Sequence, residues 1–144
     1  MTESIQQHDF IDLLSERHNL IREKLETTWN NLSHIHISNT EWYILSKIYQ
    51  NNRPPISSIT KHINITRQAI HKQVKNLEEK GLIEIENVDY NKKEKCLSFT
   101  PLGEECYKKY EILKMELEAE IAEKIGRDQL EIFKKILRKN WGIE

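Results

Sequence analysis

Ile56 to Thr100 reads ISSITKHINITRQAIHKQVKNLEEKGLIEIENVDYNKKEKCLSFT. Locally this is a short helix, a tight turn, a second helix and two strands around a charged loop. Ser57 is placed to cap the short helix, and Ile59 and Ile63 give it an apolar stripe. Asn64 falls where the chain must turn, and Asn tolerates the left-handed conformation that ends a helix. Thr66 can cap a second helix running to about Lys80, with Gly81 just past its end.

In that second helix Ile70, Val74 and Leu77 recur at helical spacing, so one face packs on a core. The other face carries Arg67, Gln68, His71, Lys72 and Lys75. Gln68, His71, Lys72 and Lys75 follow a three-four-seven spacing and point away from the core, as long donors suited to base edges and phosphate oxygens. Lys61 closes the short helix. A helix, a turn and a polar-faced helix describe a helix-turn-helix. Leu82, Ile83 and Ile85 then read as a strand and Cys96, Leu97 and Phe99 as its partner. The loop Val88 to Lys95, with Asn91, Lys92, Lys93 and Lys95, is too polar for a core and reads as a basic wing.

The segment ITRQAIHKQVKNLEEKGLI, the hairpin after it and LSFTPLGEE resemble the MarR (multiple antibiotic resistance regulator) family of bacterial repressors. The preceding TEWYIL, Thr40 to Leu45, is similar to that family's second helix. The resemblance covers Thr40 to Gly103, and the flanking helices by position and pattern only. It implies a mainly α fold with a small β-hairpin: a winged helix-turn-helix with dimerisation helices at both ends. It also implies a two-fold homodimer on a pseudo-palindromic operator of double-stranded DNA, and a repressor released by a small-molecule effector. One departure concerns the wing. Many relatives carry Asp-Arg-Arg at the hairpin tip, where this chain has Asn91-Lys92-Lys93. Lysine still meets phosphate but lacks the planar fork of arginine.

A length of 144 residues fits one domain over 1–144. Within it, 39–100 form the winged helix-turn-helix part, and 5–32 and 101–143 the dimerisation helices. Charged residues are 31% of the chain, no apolar run approaches a bilayer span, and the start lacks a basic region followed by an apolar one. Two cysteines without a CxxC fit a reducing cytoplasm. The net charge of −1 argues against a nucleic-acid binder, but the distribution of charge argues the other way. From Trp42 to Leu77 there is no Asp or Glu, while Lys47, Arg53, Lys61, Arg67, Lys72 and Lys75 all lie there. The acids gather elsewhere, notably in MELEAEIAEK.

Residues 5–31 read as a first helix, with Phe10, Leu14, Ile21, Leu25 and Trp29 on its stripe and Asn30, Asn31 and Ser33 breaking it. Asn39-Thr40 opens the next helix, with Trp42, Leu45 and Ile48 inward, and Pro54-Pro55 lies beyond its end. After the wing, Thr100-Pro101 starts a long helix with Cys106, Tyr110, Leu113, Leu117 and Ile121 on one stripe. Gly126 interrupts it. Asp128 is placed to cap a last helix carrying Leu130, Phe133, Ile136 and Leu137 to Trp141. These terminal helices have more apolar face than a small winged helix covers, which points to a subunit interface.

Other chemistry is weakly supported. Of six histidines only His34 and His36 are close together, and no Cys or carboxylate joins them at ligand spacing. The long helix after the wing has no His, where a metal-sensing relative would be expected to have some. In the family's peroxide-sensing branch the reactive cysteine lies in the first helix, and residues 5–31 contain none. No cofactor or metal is therefore expected. No G-x-S-x-G, glycine-rich phosphate loop or carboxylate pair suggests an enzyme. Trp29, Trp42, Tyr43 and His36 are local candidates for lining an effector pocket, although each reads equally well as core. The alternative class is a winged-helix module that binds protein; such a face should expose more aromatics than this one.

Overall fold

Asp9 sets the start of the first helix. Its side chain accepts from the Asp12 backbone N–H at 2.9 Å, so this helix begins at Phe10; residues 5–7 of the expected helix lie outside the described residues. In the computed structural model the described residues are 8–61, 65–88 and 91–144, the side chains of 88 and 91–93 excepted. The elements are α1 (Phe10–Leu32), α2 (Asn39–Gln50), α3 (Ile56–Thr60), α4 (Arg67–Glu79), β1 (Ile83–Val88), β2 (Asn91–Phe99), α5 (Pro101–Ile125) and α6 (Arg127–Arg138). They fall into two compact units, Met1–Lys109 and Tyr110–Glu144, and α5 runs from one into the other. No helix among the described residues is long and apolar enough to cross a membrane.

The core of the first unit gathers around Trp42. Trp29 of α1 meets it edge-on, with ring centroids 5.0 Å apart, and the Trp29 indole N–H donates to the Ile35 carbonyl at 2.8 Å. Ile37, Ile44, Leu45, Ile59, Ile70, Leu77, Leu82 and Leu97 are all fully buried. Ser38 and Glu41 close α2 with a reciprocal capping box. On α1 only Leu25 and Trp29 of the expected stripe are buried, while Phe10, Ile11 and Leu32 stand exposed.

β1 and β2 pair antiparallel, with Ile83 opposite Phe99 and Ile85 opposite Leu97. The pairing continues through Asn87–Lys95 to Val88–Asn91, with a register shift at Asn87/Val88. The described residues of the expected loop from Val88 to Lys95 are therefore strand, with Val88, Asn91 and Lys95 paired and 92–94 within the register shift. Polarity excludes these residues from a core but not from a hairpin, whose bonds are made by backbone. The Leu97 N–H donates to the Pro54 carbonyl at 3.0 Å, which docks the wing base on the chain entering α3. Tyr107 of α5 stacks on Tyr49, with centroids 4.7 Å apart, and tilts against Phe99.

In the second unit Gly126 turns the chain at φ 98° and is itself the N-cap of α6. Asp128 is thus not the cap but lies in the first helical turn, where its charge complements the helix dipole. The helix stops at Arg138, short of the expected Trp141. The indole of Trp141 instead donates to the Ile136 carbonyl at 2.7 Å, satisfying an end carbonyl from outside the helix. Lys134 pairs with Glu118 at 3.1 Å, and Ile132, Phe133, Ile136 and Leu137 are exposed.

Candidate nucleic-acid interface

Thr66 begins α4 as the sequence suggests: its hydroxyl accepts from the Ala69 N–H at 3.1 Å. Past its last turn, Gly81 adopts φ 77°, a left-handed position that suits glycine. Between these ends the helix is divided lengthwise. Ile70, Val74 and Leu77 are at most 1% exposed. Arg67, Gln68, His71, Lys72 and Lys75 are all exposed, on the opposite face. Lys75 lies 3.4 Å from Glu78, a solvent-exposed pair too weak to withdraw the lysine from a phosphate.

The first helix of the motif differs from expectation. Ser57 does not cap α3; Pro55 holds the N-cap position at φ −71°, ψ 150°, with no side-chain cap bond. Proline fixes φ near the value this position needs, so the helix starts two residues earlier. The Ser57 hydroxyl, exposed, donates instead to Glu94 of β2 at 3.2 Å. Ile59 is buried as expected, and Lys61 is exposed at the end of α3. His62, Ile63 and the turn residue Asn64 lie outside the described residues.

On the hairpin, Lys95 is exposed opposite Asn87. Asn91, Lys92 and Lys93 belong to β2 by backbone. Asp89 and Tyr90, between the strands, lie outside the described residues. Two carboxylates take part at the wing base without any local sign in the sequence. Glu94 accepts from Ser57, and Glu86 pairs with Arg53 at 2.6 Å. Arg53 itself has φ 48°, a turn conformation after α2. Only the run Asn51-Asn52-Arg53 hints at such a turn.

Of the residues named for an effector pocket, Trp29 and Trp42 are core. His36 and Tyr43 instead line a cleft of about 790 Å³ between α1 and α2, together with His18, Asn19, Glu26 and Asn39. Every lining residue carries a polar or charged group, of both charge signs, while carbon makes up rather more of the exposed wall than nitrogen and oxygen. No group of three or more His, Cys, Asp or Glu able to hold a metal occurs among the described residues.

Comparison with known proteins gives this geometry a context. Residues 37–95 match the model of the MarR family, a span from the end of the α1–α2 loop into β2. A MarR/EmrR family transcriptional regulator from Acinetobacter sp. ADP1 is 26% identical, with TM-score 0.68 over 89% of this chain and 91% of its own. MepR of Staphylococcus aureus, a transcription regulator of the multidrug efflux pump MepA, superposes with TM-score 0.71 at 18% identity, covering 90% and 94% of the two chains. A MepR variant from S. aureus bound to an oligodeoxyribonucleotide gives TM-score 0.62 at 19% identity, covering 91% and 94%. No curated protein sequence gives a significant match. The paired helices, the hairpin behind them and the match over residues 37–95 show a MarR family domain over those residues, in a winged helix fold similar to that of the family's transcriptional regulators.

Proposed function

We propose that the chain is a dimeric, sequence-specific DNA-binding repressor of transcription, working in the cytoplasm and released by a small molecule. The observation that carries this reading is the division of α4: a buried apolar face and an outer face of long donors, in a stretch from Trp42 to Leu77 without one carboxylate. Gln68, His71 and Lys72 near the start of α4 reach base edges in the major groove. Lys61, Arg67 and Lys75 take phosphates, with the hydroxyls of Ser57 and Thr66 beside them. Asn91, Lys92, Lys93 and Lys95 of the wing hold the adjacent backbone and minor groove.

Exposed Phe10 and Ile11 on α1, and Ile132, Phe133, Ile136 and Leu137 on α6, support a homodimer in which a second copy covers these faces. Two recognition helices about 34–36 Å apart then read a pseudo-palindromic operator. The cleft with His36 and Tyr43 on its wall supports effector release, through a ligand bound by hydrogen bonds. Electrophoretic shift of the DNA flanking the chain's own gene, against a scrambled duplex at several salt concentrations, tests the reading. The flanking duplex should be held in preference, with affinity falling steeply as salt rises. Equal affinity for both duplexes at every salt concentration would overturn it.

A further inference from the structure

Lys80 closes the recognition helix and makes three short contacts at once. Its ammonium lies 2.7 and 2.8 Å from the two carboxylate oxygens of Glu41 and 2.6 Å from the His36 carbonyl. Glu41 is only 3% exposed, in the first turn of α2, and its Oε1 also accepts from the Ser38 N–H at 3.0 Å. Burying a carboxylate is costly even when it is paired, and apolar residues in place of such a pair are often as stable or more so. Stability alone does not account for the pair. What it supplies is a fixed geometry.

The location gives that geometry a use. Beyond Lys80, Gly81 and Leu82 lead the chain into the wing, and both their carbonyls are held by Thr100 at the start of α5. The C-terminal end of α4 is therefore a junction, and Lys80 is the side chain that ties it to α2. The residue giving up its carbonyl, His36, also has a place on the wall of the α1–α2 cleft.

The structure assigns to Lys80 the role of positioning residue: through Glu41 and the His36 carbonyl it fixes recognition helix α4 against α2 and the cleft wall, so that movement of the loop carrying His36 is passed to α4. The inference rests on the DNA-binding reading above. Lys80 does not touch DNA; it acts through the orientation of Gln68, His71 and Lys72.

The test compares the full-length parent with Lys80→Met and with Glu41→Gln/Lys80→Met. The single variant strands a buried carboxylate and loses fold stability. The double variant keeps a neutral acceptor for the Ser38 N–H, so its melting temperature should return toward that of the parent. The probe is the duplex that the parent selects from a random library, with a scrambled duplex as control. The double variant should hold the selected duplex about tenfold more weakly, the size of one missing base contact, with scrambled-duplex affinity and salt slope unchanged. A double variant that binds the selected duplex as the parent does, or a flattened salt slope, overturns the assignment. Hydrogen exchange on the free proteins is the second arm. Residues 66–81 and 33–38 should exchange faster together, with 101–107 unaffected; unchanged exchange in 66–81 overturns the assignment. If the parent selects no duplex, the DNA-binding reading fails, and the exchange arm alone decides the clamp.

Discussion

Gly103 packs so closely on Leu82 that a Cβ built on it would fall 1.9 Å from the Leu82 carbonyl oxygen. That oxygen already accepts the Thr100 N–H at 3.1 Å, and the Thr100 hydroxyl bridges the Gly103 N–H and the Gly81 carbonyl at 3.0 and 2.6 Å. The first turn of α5 is thus pressed onto the strand that leaves the recognition helix, and only a residue without a side chain fits the contact. The glycine of the LSFTPLGEE motif has a steric reason.

Gly103→Ala should therefore destabilise despite the better helix propensity of alanine. The obstacle is backbone, so the elements must separate, at about 2–3 kcal/mol after the propensity gain of up to about 1 kcal/mol. Gly81 makes the contrast, since a Cβ there meets nothing within 4 Å and only its φ of 77° resists substitution. Gly81→Ala should cost about 1 kcal/mol, and Gly81→Asn less, because Asn accepts the left-handed region. Denaturant titrations of the three variants decide the matter. A Gly103→Ala protein as stable as the parent would mean that the α5–β1 contact is looser than described.

The exposed stripe on α6 sets a second expectation. Ile132, Phe133, Ile136 and Leu137 lie on a helix with charged residues on its other face, a pattern that needs a partner. Light scattering at micromolar concentration should give twice the 17.2 kDa of one chain. Phe133→Glu combined with Ile136→Glu should shift the protein to monomers and weaken operator binding. A parent that scatters as a single chain would remove the dimer from the proposal.

The cysteines should prove chemically unequal. Cys106 is buried, and that burial raises its thiol above the ordinary value, opposed by the nearby Lys109 charge and assisted by Glu105. Thiolate is the reactive form, so Cys106 should alkylate several-fold more slowly than the partly exposed Cys96. Raising the pH should speed Cys106 only above the range where an ordinary thiol ionises. Replacing both with serine should leave the response to peroxide unchanged. Mass spectrometry of iodoacetamide-treated protein checks the first point; an oxidant-driven loss of DNA binding that vanishes in the double variant would refute the last.

The parts of the fold legible in the sequence are those written locally. Thr66 at the start of α4, Gly81 at its end and the spacing of Ile70, Val74 and Leu77 act within a few residues, and each stands where its pattern indicates. The rest depends on partners distant in the chain or on geometry without a side-chain code. Ser57 has the chemistry of a cap, but Pro55 already holds the required backbone angles, and the serine meets Glu94, 37 residues on. Glu41 is recognisable as the fourth residue of a Ser38-x-x-Glu box, whereas its ion pair with Lys80 spans 39 residues and has no local sign. Asn91 to Lys95 look like loop because they are polar, yet they are strand, and Asn91 and Lys95 pair through backbone alone with Val88 and Asn87.

The last expectation separates the recognition helix from the wing. Gln68, His71 and Lys72 stand exposed near the start of α4, the end that reaches base edges in helix-turn-helix proteins. Gln68→Ala should therefore weaken operator binding more than binding to random DNA, by about 1–3 kcal/mol for a missing bidentate base contact. Lys92 and Lys93, in the first part of β2, should behave otherwise, because phosphate contacts are electrostatic and nearly blind to sequence. Replacing both by alanine should lower affinity for every duplex. It should also flatten the plot of log K against log salt by about one unit for each phosphate released per subunit. Glu86 and Glu94 at the wing base limit how much positive potential the hairpin presents, so Glu94→Gln should strengthen non-specific binding by a small factor without changing operator preference. Titrations of operator and scrambled duplex at several salt concentrations distinguish the three variants. An equal loss on both duplexes for Gln68→Ala, or an intact salt slope for the double lysine variant, would show that the helix and the wing do not divide the work in this way.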